Sequence, residues 1–478
     1  MAVHDRLFIG GDWVEPEGTG TIEVRSPATQ EPVGRVPEAS TADVDRAVAA
    51  ARRACDEGPW PHLPPTERAA VLGAISAGIV ARSDELARLI SEENGSPVSW
   101  SIMGQVFSAT MVADYYVGLA AEYPFREERS GLLGSSLVRK LPVGVAAAIV
   151  PWNVPLFISL LKLAPAMVAG CPVVLKPAPE TPLDAFVLAE IAAEAGLPAG
   201  VLNVVPAGRE VGEHLVTSEG VDKVSFTGST AAGRRIAGLC GERLRRVTLE
   251  LGGKSAAIVL DDADLDHVVA NLLPAAMMNN GQACVAQSRV LVSRNREREL
   301  VDALSEAAAK LTVGDPLDAA TEIGPLVAER QRDRVEGYIA AGREEGARVT
   351  VGGGRPGGLD SGWYVEPTVF AGVDNSMRIA REEIFGPVVS VIAYDDVDDA
   401  VAIANDSPYG LSGSVYGADV EAAAEIAGRV RTGTSTVNGF MLEFGSPFGG
   451  FKASGLGREL GPEGLEAYLE LQSISLPS

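Results

Sequence analysis

Gly144-Val145-Ala146-Ala147-Ala148-Ile149-Val150 is an unbroken run of small apolar residues, and Pro151-Trp152-Asn153-Val154-Pro155 interrupts it. A further apolar stretch over residues 156–169 leads to Gly170 and then to Val173-Val174-Leu175-Lys176. The reading is strand, turn, helix, strand, because a run bounded by turn residues suits a strand buried on both faces. Beyond it the spacing predicts a helix over 182–195 ending at Gly196, and strands over 201–205 and 223–226. Such alternation builds a parallel sheet, whose ligands sit at the carboxyl ends of the strands. Residues 143–175 hold one charge, Lys162, and exceed the ~20 apolar residues that span a bilayer. Pro151, Pro155, Pro165 and Pro172 divide the run, which argues for buried elements of a folded core.

At 478 residues and 46% hydrophobic content, more than one core is expected. A formal charge of −24 argues against a nucleic-acid or anionic-membrane surface, since both need clustered Lys and Arg. Cys55, Cys171, Cys240 and Cys284 lie far apart without metal-ligand spacing, so neither a metal site nor a disulfide framework is expected. His4, Asp5 and Arg6 stand where a signal peptide would need an apolar core, so export is not expected and the cytoplasm is the default.

The first forty residues read as short strands around the Gly10-Gly11 turn, and Thr41 as the N-cap of a helical layer that starts with Val44, Ala47, Val48 and Ala51 at helical spacing and repeats over 66–82, 83–94 and 99–116. Arg126, Glu127, Glu128 and Arg129 read as a solvated loop before a β-ribbon over 132–142. After Cys284 the alternation resumes. Strand 290–292, helices 296–311 and 328–345, a glycine-rich turn over 349–354 and a strand over 364–369 form a second α/β domain. Residues 465–476 read as a closing strand.

Between the domains, Thr248-Leu249-Glu250-Leu251-Gly252-Gly253-Lys254-Ser255 and Gly281-Gln282-Ala283-Cys284-Val285-Ala286 each join one reactive side chain to glycines that admit close backbone. A thiol with a carboxylate base is equipment for covalent catalysis on a carbonyl. Taken alone, a cysteine is usually buried packing and a glutamate a surface group. The two signatures, with Pro151-Trp152-Asn153, Phe226-Thr227-Gly228-Ser229 and Glu383-Ile384-Phe385-Gly386-Pro387, closely resemble the motifs of the NAD(P)-dependent aldehyde dehydrogenase superfamily, in order along nearly the whole chain. The resemblance implies an α/β fold with a Rossmann-like cofactor domain (1–123 and 143–250), a second α/β catalytic domain (251–452) and a small β oligomerisation element (124–142 and 453–478). It implies a homodimer or homotetramer.

By that resemblance Cys284 is the nucleophile, Glu250 the general base, and Asn153 with the Cys284 backbone N–H stabilises the oxyanion. Cofactor contacts carry over to Ile149, Trp152, Lys176, Pro179, Gly228, Ser229, Gly233, Leu251, Glu383 and Phe385. The glycines after Phe226 lack the middle glycine of the usual dinucleotide fingerprint, so they carry weight only in this context. NAD is the implied cofactor. NADP is possible, because Pro179 stands where NAD-preferring relatives often carry a Glu that repels a 2′-phosphate. Val154, Ile158, Leu161 and Leu442 fall at substrate-tunnel positions and imply an apolar aliphatic or aromatic aldehyde, with no aromatic cage for a quaternary ammonium. A CoA-acylating dehydrogenase and a catalytically silent protein of the same fold are the alternatives. Retention of Cys284, Glu250 and Asn153 speaks against them.

Overall fold

The computed structural model describes residues 2–476. Its first large sheet has eight strands in the order Gly455–Leu456, Arg246–Glu250, Lys223–Thr227, Ala146–Ile149, Val173–Lys176, Leu202–Val204, Leu7–Ile9 and Asp12–Val14. The five from Arg246–Glu250 to Leu202–Val204 are parallel, and each outer strand pairs antiparallel with its inner neighbour. From Ala146–Ile149 the chain first builds outward through Val173–Lys176 and Leu202–Val204. It then crosses back to lay Lys223–Thr227 on the other side. The carboxyl ends of Ala146–Ile149 and Lys223–Thr227 therefore flank a topological switch point, where a parallel sheet opens a crevice.

Helix Pro155–Ala169 packs on this sheet with nearly every side chain buried. Pro165 lies inside it without ending it, as the single helix expected over 156–169 requires. At 15 residues the helix is about 22 Å long, short of a bilayer's hydrocarbon core. Among the described residues no helix is long and apolar enough to cross a membrane.

The second sheet has seven strands in the order Arg348–Val351, Thr368–Ala371, Val388–Tyr394, Arg289–Ser293, Ala256–Val259, Gly413–Tyr416 and Thr436–Val437. It is parallel except at Arg348–Val351, an edge strand where a turn is expected from the sequence. Only Gly352 and Gly353 make the turn, both at positive φ. The strand expected over 364–369 begins later, at Thr368.

Other differences have local causes. Ser40 caps the first helix in place of Thr41, in a reciprocal capping box with Asp43. Ser101–Phe107 is a π-helical stretch between Val98–Trp100 and Ser108–Glu122. Arg126–Gly131 is a strand rather than a loop, paired antiparallel with Gly134–Pro142 and turning at Leu132 and Leu133. Glu127 takes ion pairs from Arg129 and Lys140, so charge supplies the ladder contacts that apolar alternation would have announced. Residues 465–476 are not one strand. Helix Gly461–Glu466 precedes Leu469–Leu476, which pairs with Gly134–Pro142 of its own chain. Gly455–Leu456 joins the first large sheet, so only the end of segment 453–478 lies with the ribbon.

Candidate active site

Asn153 follows the first strand of the switch point, and its side-chain amide donates to Gln282 O at 2.8 Å. Its own backbone carbonyl is buried and receives three side-chain amides: Asn94 at 3.1 Å, Gln105 at 3.2 Å and Asn279 at 2.9 Å. Asn279 and Asn280 both adopt the left-handed conformation, which asparagine tolerates better than other residues with a Cβ. From there the Asn280 amide donates to Gly95 O and Pro325 O, while Gln282 Oε1 accepts from Val327 N–H at 3.0 Å. The loop before Cys284 is thus tied by amide side chains to several distant segments. Asn94, Gln105, Asn279 and Gln282 escape a motif-based reading because each looks like an ordinary polar residue.

Cys284 is half-buried at the end of this loop. Burial, with Glu383 and Glu250 nearby, pushes its thiol up to about 12, while the backbone N–H groups of Cys284 and Val285 act the other way. At neutral pH it rests as the thiol. The glycine pair opposite admits the loop. A Cβ on Gly253 would fall 2.3 Å from Cys284 O, and one on Gly252 2.5 Å from Glu383 Oε2.

Glu250 ends its strand fully buried, and neither carboxylate oxygen has a hydrogen-bond partner among the described residues. Burial, reinforced by the charge of Glu459, raises it well above the usual carboxyl range. Glu459 accepts from Lys162 Nζ at 2.6 Å, and the same ammonium donates to Thr227 Oγ1 at 2.8 Å and Ser225 Oγ at 3.2 Å. Lys162, Ser225, Thr227 and Glu459 take no role from the sequence, although Thr227 lies within the Phe226–Ser229 motif. The single charge in the apolar run over 143–175 was their only signal.

Two cavities follow the switch point. One, about 250 Å³, is lined by Trp152, Asn153, Leu251, Cys284, Glu383 and Phe385 among others. The second, about 360 Å³, is lined by Ile149, Lys176 and Pro179. Trp152, Gly228 and Ser229 line both, so the two form one groove. Glu250 is not on the lining of either. Gly233 is also off it, because a Cβ there would meet Leu251 Cδ2 at 2.5 Å; the residue serves close packing of helix Thr230–Glu242.

Ser229 caps that helix by accepting from Ala232 N–H, and Gly228, Ser229 and Ala232 lie on the lining, so the N-terminal turn of the helix borders the groove. Glu383 is pushed up to about 7 by burial and accepts from Gly253 N–H at 3.0 Å. Phe385 has a φ of 64°, and its ring meets Trp152 edge-on at 5.3 Å. Gln331 and Arg334, both missed in the sequence, hold that segment by donating to Phe385 O and Glu383 O.

The expected tunnel residues are less accessible than the sequence suggests. Val154, Ile158 and Leu161 are buried in the same apolar cluster that the half-buried Cys284 and Leu442 pack against. The half-buried ring on that helix is Phe157, edge-on to Phe444 at 6.4 Å. Among the described residues no His, Cys, Asp and Glu cluster is placed to hold a metal.

The groove has known counterparts. The chain is 50% identical over 99% of both sequences to geranial dehydrogenase of Castellaniella defragrans. A Mycobacterium tuberculosis aldehyde dehydrogenase complexed with NAD+ superposes with a TM-score of 0.99, at 51% identity over 100% of this chain and 99% of that one. A mutant aldehyde dehydrogenase C of Pseudomonas syringae, complexed with NAD+ and octanal, superposes with a TM-score of 0.96, at 44% identity over 99% of this chain and 96% of that one. The aldehyde dehydrogenase family profile matches residues 13–474. With a half-buried cysteine at the head of a two-chamber groove, the chain belongs to the aldehyde dehydrogenase family.

Proposed function

We propose that the protein oxidises aldehydes to carboxylic acids with NAD, through a covalent intermediate on Cys284. The observation that carries this is the chamber that brings Cys284, the Asn153 amide and Glu383 onto one lining. The groove also fits the dinucleotide. The N-terminal turn of helix Thr230–Glu242 borders its middle, and Gly252 lets the Glu383 carboxylate seat against the backbone on the same lining, where it can accept from ribose hydroxyls. When bound, NAD supplies the acceptor for the hydride that leaves the substrate carbon.

The chain's own residues do the rest. Cys284, once deprotonated, attacks the aldehyde carbonyl to give a thiohemiacetal, and the Asn153 amide and the Cys284 backbone N–H receive the charge that develops on oxygen. Loss of hydride leaves a thioester. Glu250, with no hydrogen bond fixing its carboxyl, can rotate from its buried seat towards the thiol or a water. Its raised affinity for protons suits a base that must accept one near neutral pH. Lys162 compensates Glu459 and so sets the charge that Glu250 faces.

An apolar aldehyde is the substrate class that this reading favours. Leu442, Val154 and Leu161 supply an apolar surround near Cys284, and relatives are named for geranial or hold octanal. The exposed Leu132 and Leu133 at the ribbon tip support a homo-oligomer. The test is absorbance of reduced nicotinamide with a panel of aldehydes, beside Cys284→Ala. Reduction by the wild type alone is expected, and octanal or geranial should be oxidised with higher kcat/KM than betaine aldehyde. Equal rates in the variant would overturn the mechanism, and a preference for betaine aldehyde would overturn the substrate class.

A further inference from the structure

The turn opposite Cys284 carries a buried cation that the reaction leaves without a role. Lys254, directly after Gly252-Gly253, is 2% exposed, and its ammonium has no hydrogen-bond partner among the described residues and stands off the groove lining. A buried ammonium is costly unless a counter-charge stands near it. The charged groups that face it are Arg289, Glu383 and Glu382. Arg289 repels it while fixing its backbone, donating to Lys254 O at 3.1 Å and otherwise to Asn375, Ile403 O and Ala404 O. Glu382 is already compensated, accepting from Tyr338 O–H at 2.7 Å and pairing with Arg378 at 3.5 Å. Glu383 remains. Its Oε1 accepts from Gly253 N–H at 3.0 Å, so the turn that carries Lys254 also seats this carboxylate.

We propose that Lys254 is a positioning residue for the coenzyme: its ammonium is the counter-charge of Glu383 and holds that carboxylate in the form that accepts from the ribose hydroxyls. The inference rests on the reading of the groove as the dinucleotide site. An ionised carboxylate can accept from two hydroxyls as well as from Gly253 N–H, whereas a protonated one gives up acceptor capacity. Burial, with Arg289, lowers Lys254 to about 7, and burial lifts Glu383 to about 7; across the turn each favours the charged form of the other. Arg334 also favours the carboxylate, but it is held by Glu383 O and the Tyr338 hydroxyl and stays charged at any working pH. The Cys284 thiol and the Tyr409 hydroxyl face Glu383 as neutral groups.

The test is calorimetric titration of the full chain with NAD, without aldehyde, from about pH 5.5 to about pH 9. In the wild type, affinity is expected to rise about tenfold as pH passes through about 7, the gain of a charge-assisted contact over a neutral one. Without the ammonium Glu383 protonates more readily, so Lys254→Met should move that midpoint up by about one pH unit and leave affinity at the alkaline end unchanged. Lys254→Gln, also neutral, should match it. Lys254→Arg, which keeps the charge, should stay near the wild-type midpoint, and Glu383→Gln should bind NAD weakly with no midpoint. In turnover near neutral pH, Lys254→Met should raise the KM for NAD with little change in kcat. An unmoved midpoint in the neutral variants, a loss of equal size at every pH, or a flat profile in the wild type would overturn the proposal while leaving NAD-linked oxidation standing. Failure of the wild type to bind NAD at any pH would overturn the dinucleotide reading as well.

Discussion

At the scale of the residue, Asn153 is held twice: its amide by Gln282 O, and its carbonyl by three converging side chains. Asn153→Ala is expected to lower kcat by about 10² to 10³, the usual effect of removing one oxyanion donor, with little change in the coenzyme KM. Steady-state kinetics measure both. Glu250 makes a pH prediction of fixed sign. Its proton affinity is raised in the folded protein, so its contribution to stability is present below the ordinary carboxyl range and is lost as pH rises through its own higher value. Glu250→Gln, neutral throughout, should therefore gain melting temperature relative to wild type as pH is raised from about 5 to about 9. The same variant should lose most acid release, and a constant melting difference across that range would refute the assignment of the strain. Cys284 and Glu250 stand beside glycines and Asn153 in a Pro-Trp-Asn turn, and it is the resemblance of these compact segments to family motifs that singles them out in the sequence. Lys162 and the amides around Asn153 could not be picked out there, since their significance lies in partners far away along the chain.

At the scale of the element, the apolar runs announced the parallel strands of the first large sheet and, in the second, Arg289–Ser293 and Thr368–Ala371 with shifted boundaries, whereas Ala256–Val259, Val388–Tyr394, Gly413–Tyr416 and Thr436–Val437 went unread. What the pattern hid was charge used in place of packing. Strand Arg126–Gly131 has no alternation to show, and helix Pro155–Ala169 buries Lys162 fully among apolar neighbours. That helix delivers its ammonium to Glu459 from the final segment and to Ser225 and Thr227 from the neighbouring strand. Lys162→Met leaves the Glu459 carboxylate buried without its cation, and a loss of about 3–5 kcal/mol is expected in denaturant unfolding. A Lys162→Met, Glu459→Gln double variant should recover much of it; additive losses would mean that the two do not act as a pair.

At the scale of the whole molecule, the groove belongs to no single sheet. The carboxyl edge of the first supplies Asn153 and Lys176 to the lining, with Glu250 buried behind it, and the segments before Arg289–Ser293 and Val388–Tyr394 of the second bring Cys284 and Glu383 to face them. The ribbon of Arg126–Gly131, Gly134–Pro142 and Leu469–Leu476 stands apart, with Leu132 and Leu133 fully exposed at its tip and Leu471, Ile474 and Leu476 exposed along its outer strand. Solubility gives no reason to keep such a surface, whereas a second subunit does. Leu132→Glu with Leu133→Glu is expected to lower the assembly state seen by light scattering while the far-ultraviolet spectrum is kept. An unchanged mass would remove the tip from the interface.

The three amides that meet at the Asn153 carbonyl come from two helical segments and the loop before Cys284. An acceptor with two lone pairs cannot reward three donors equally, so the arrangement carries a spare. Loss of Asn94 or Gln105 alone should be forgiven, and loss of both together should not, while Asn279, at positive φ and donating also to Gln282 O, has no such latitude. Among descendants of this chain, positions 94 and 105 are therefore free to drift singly but not together.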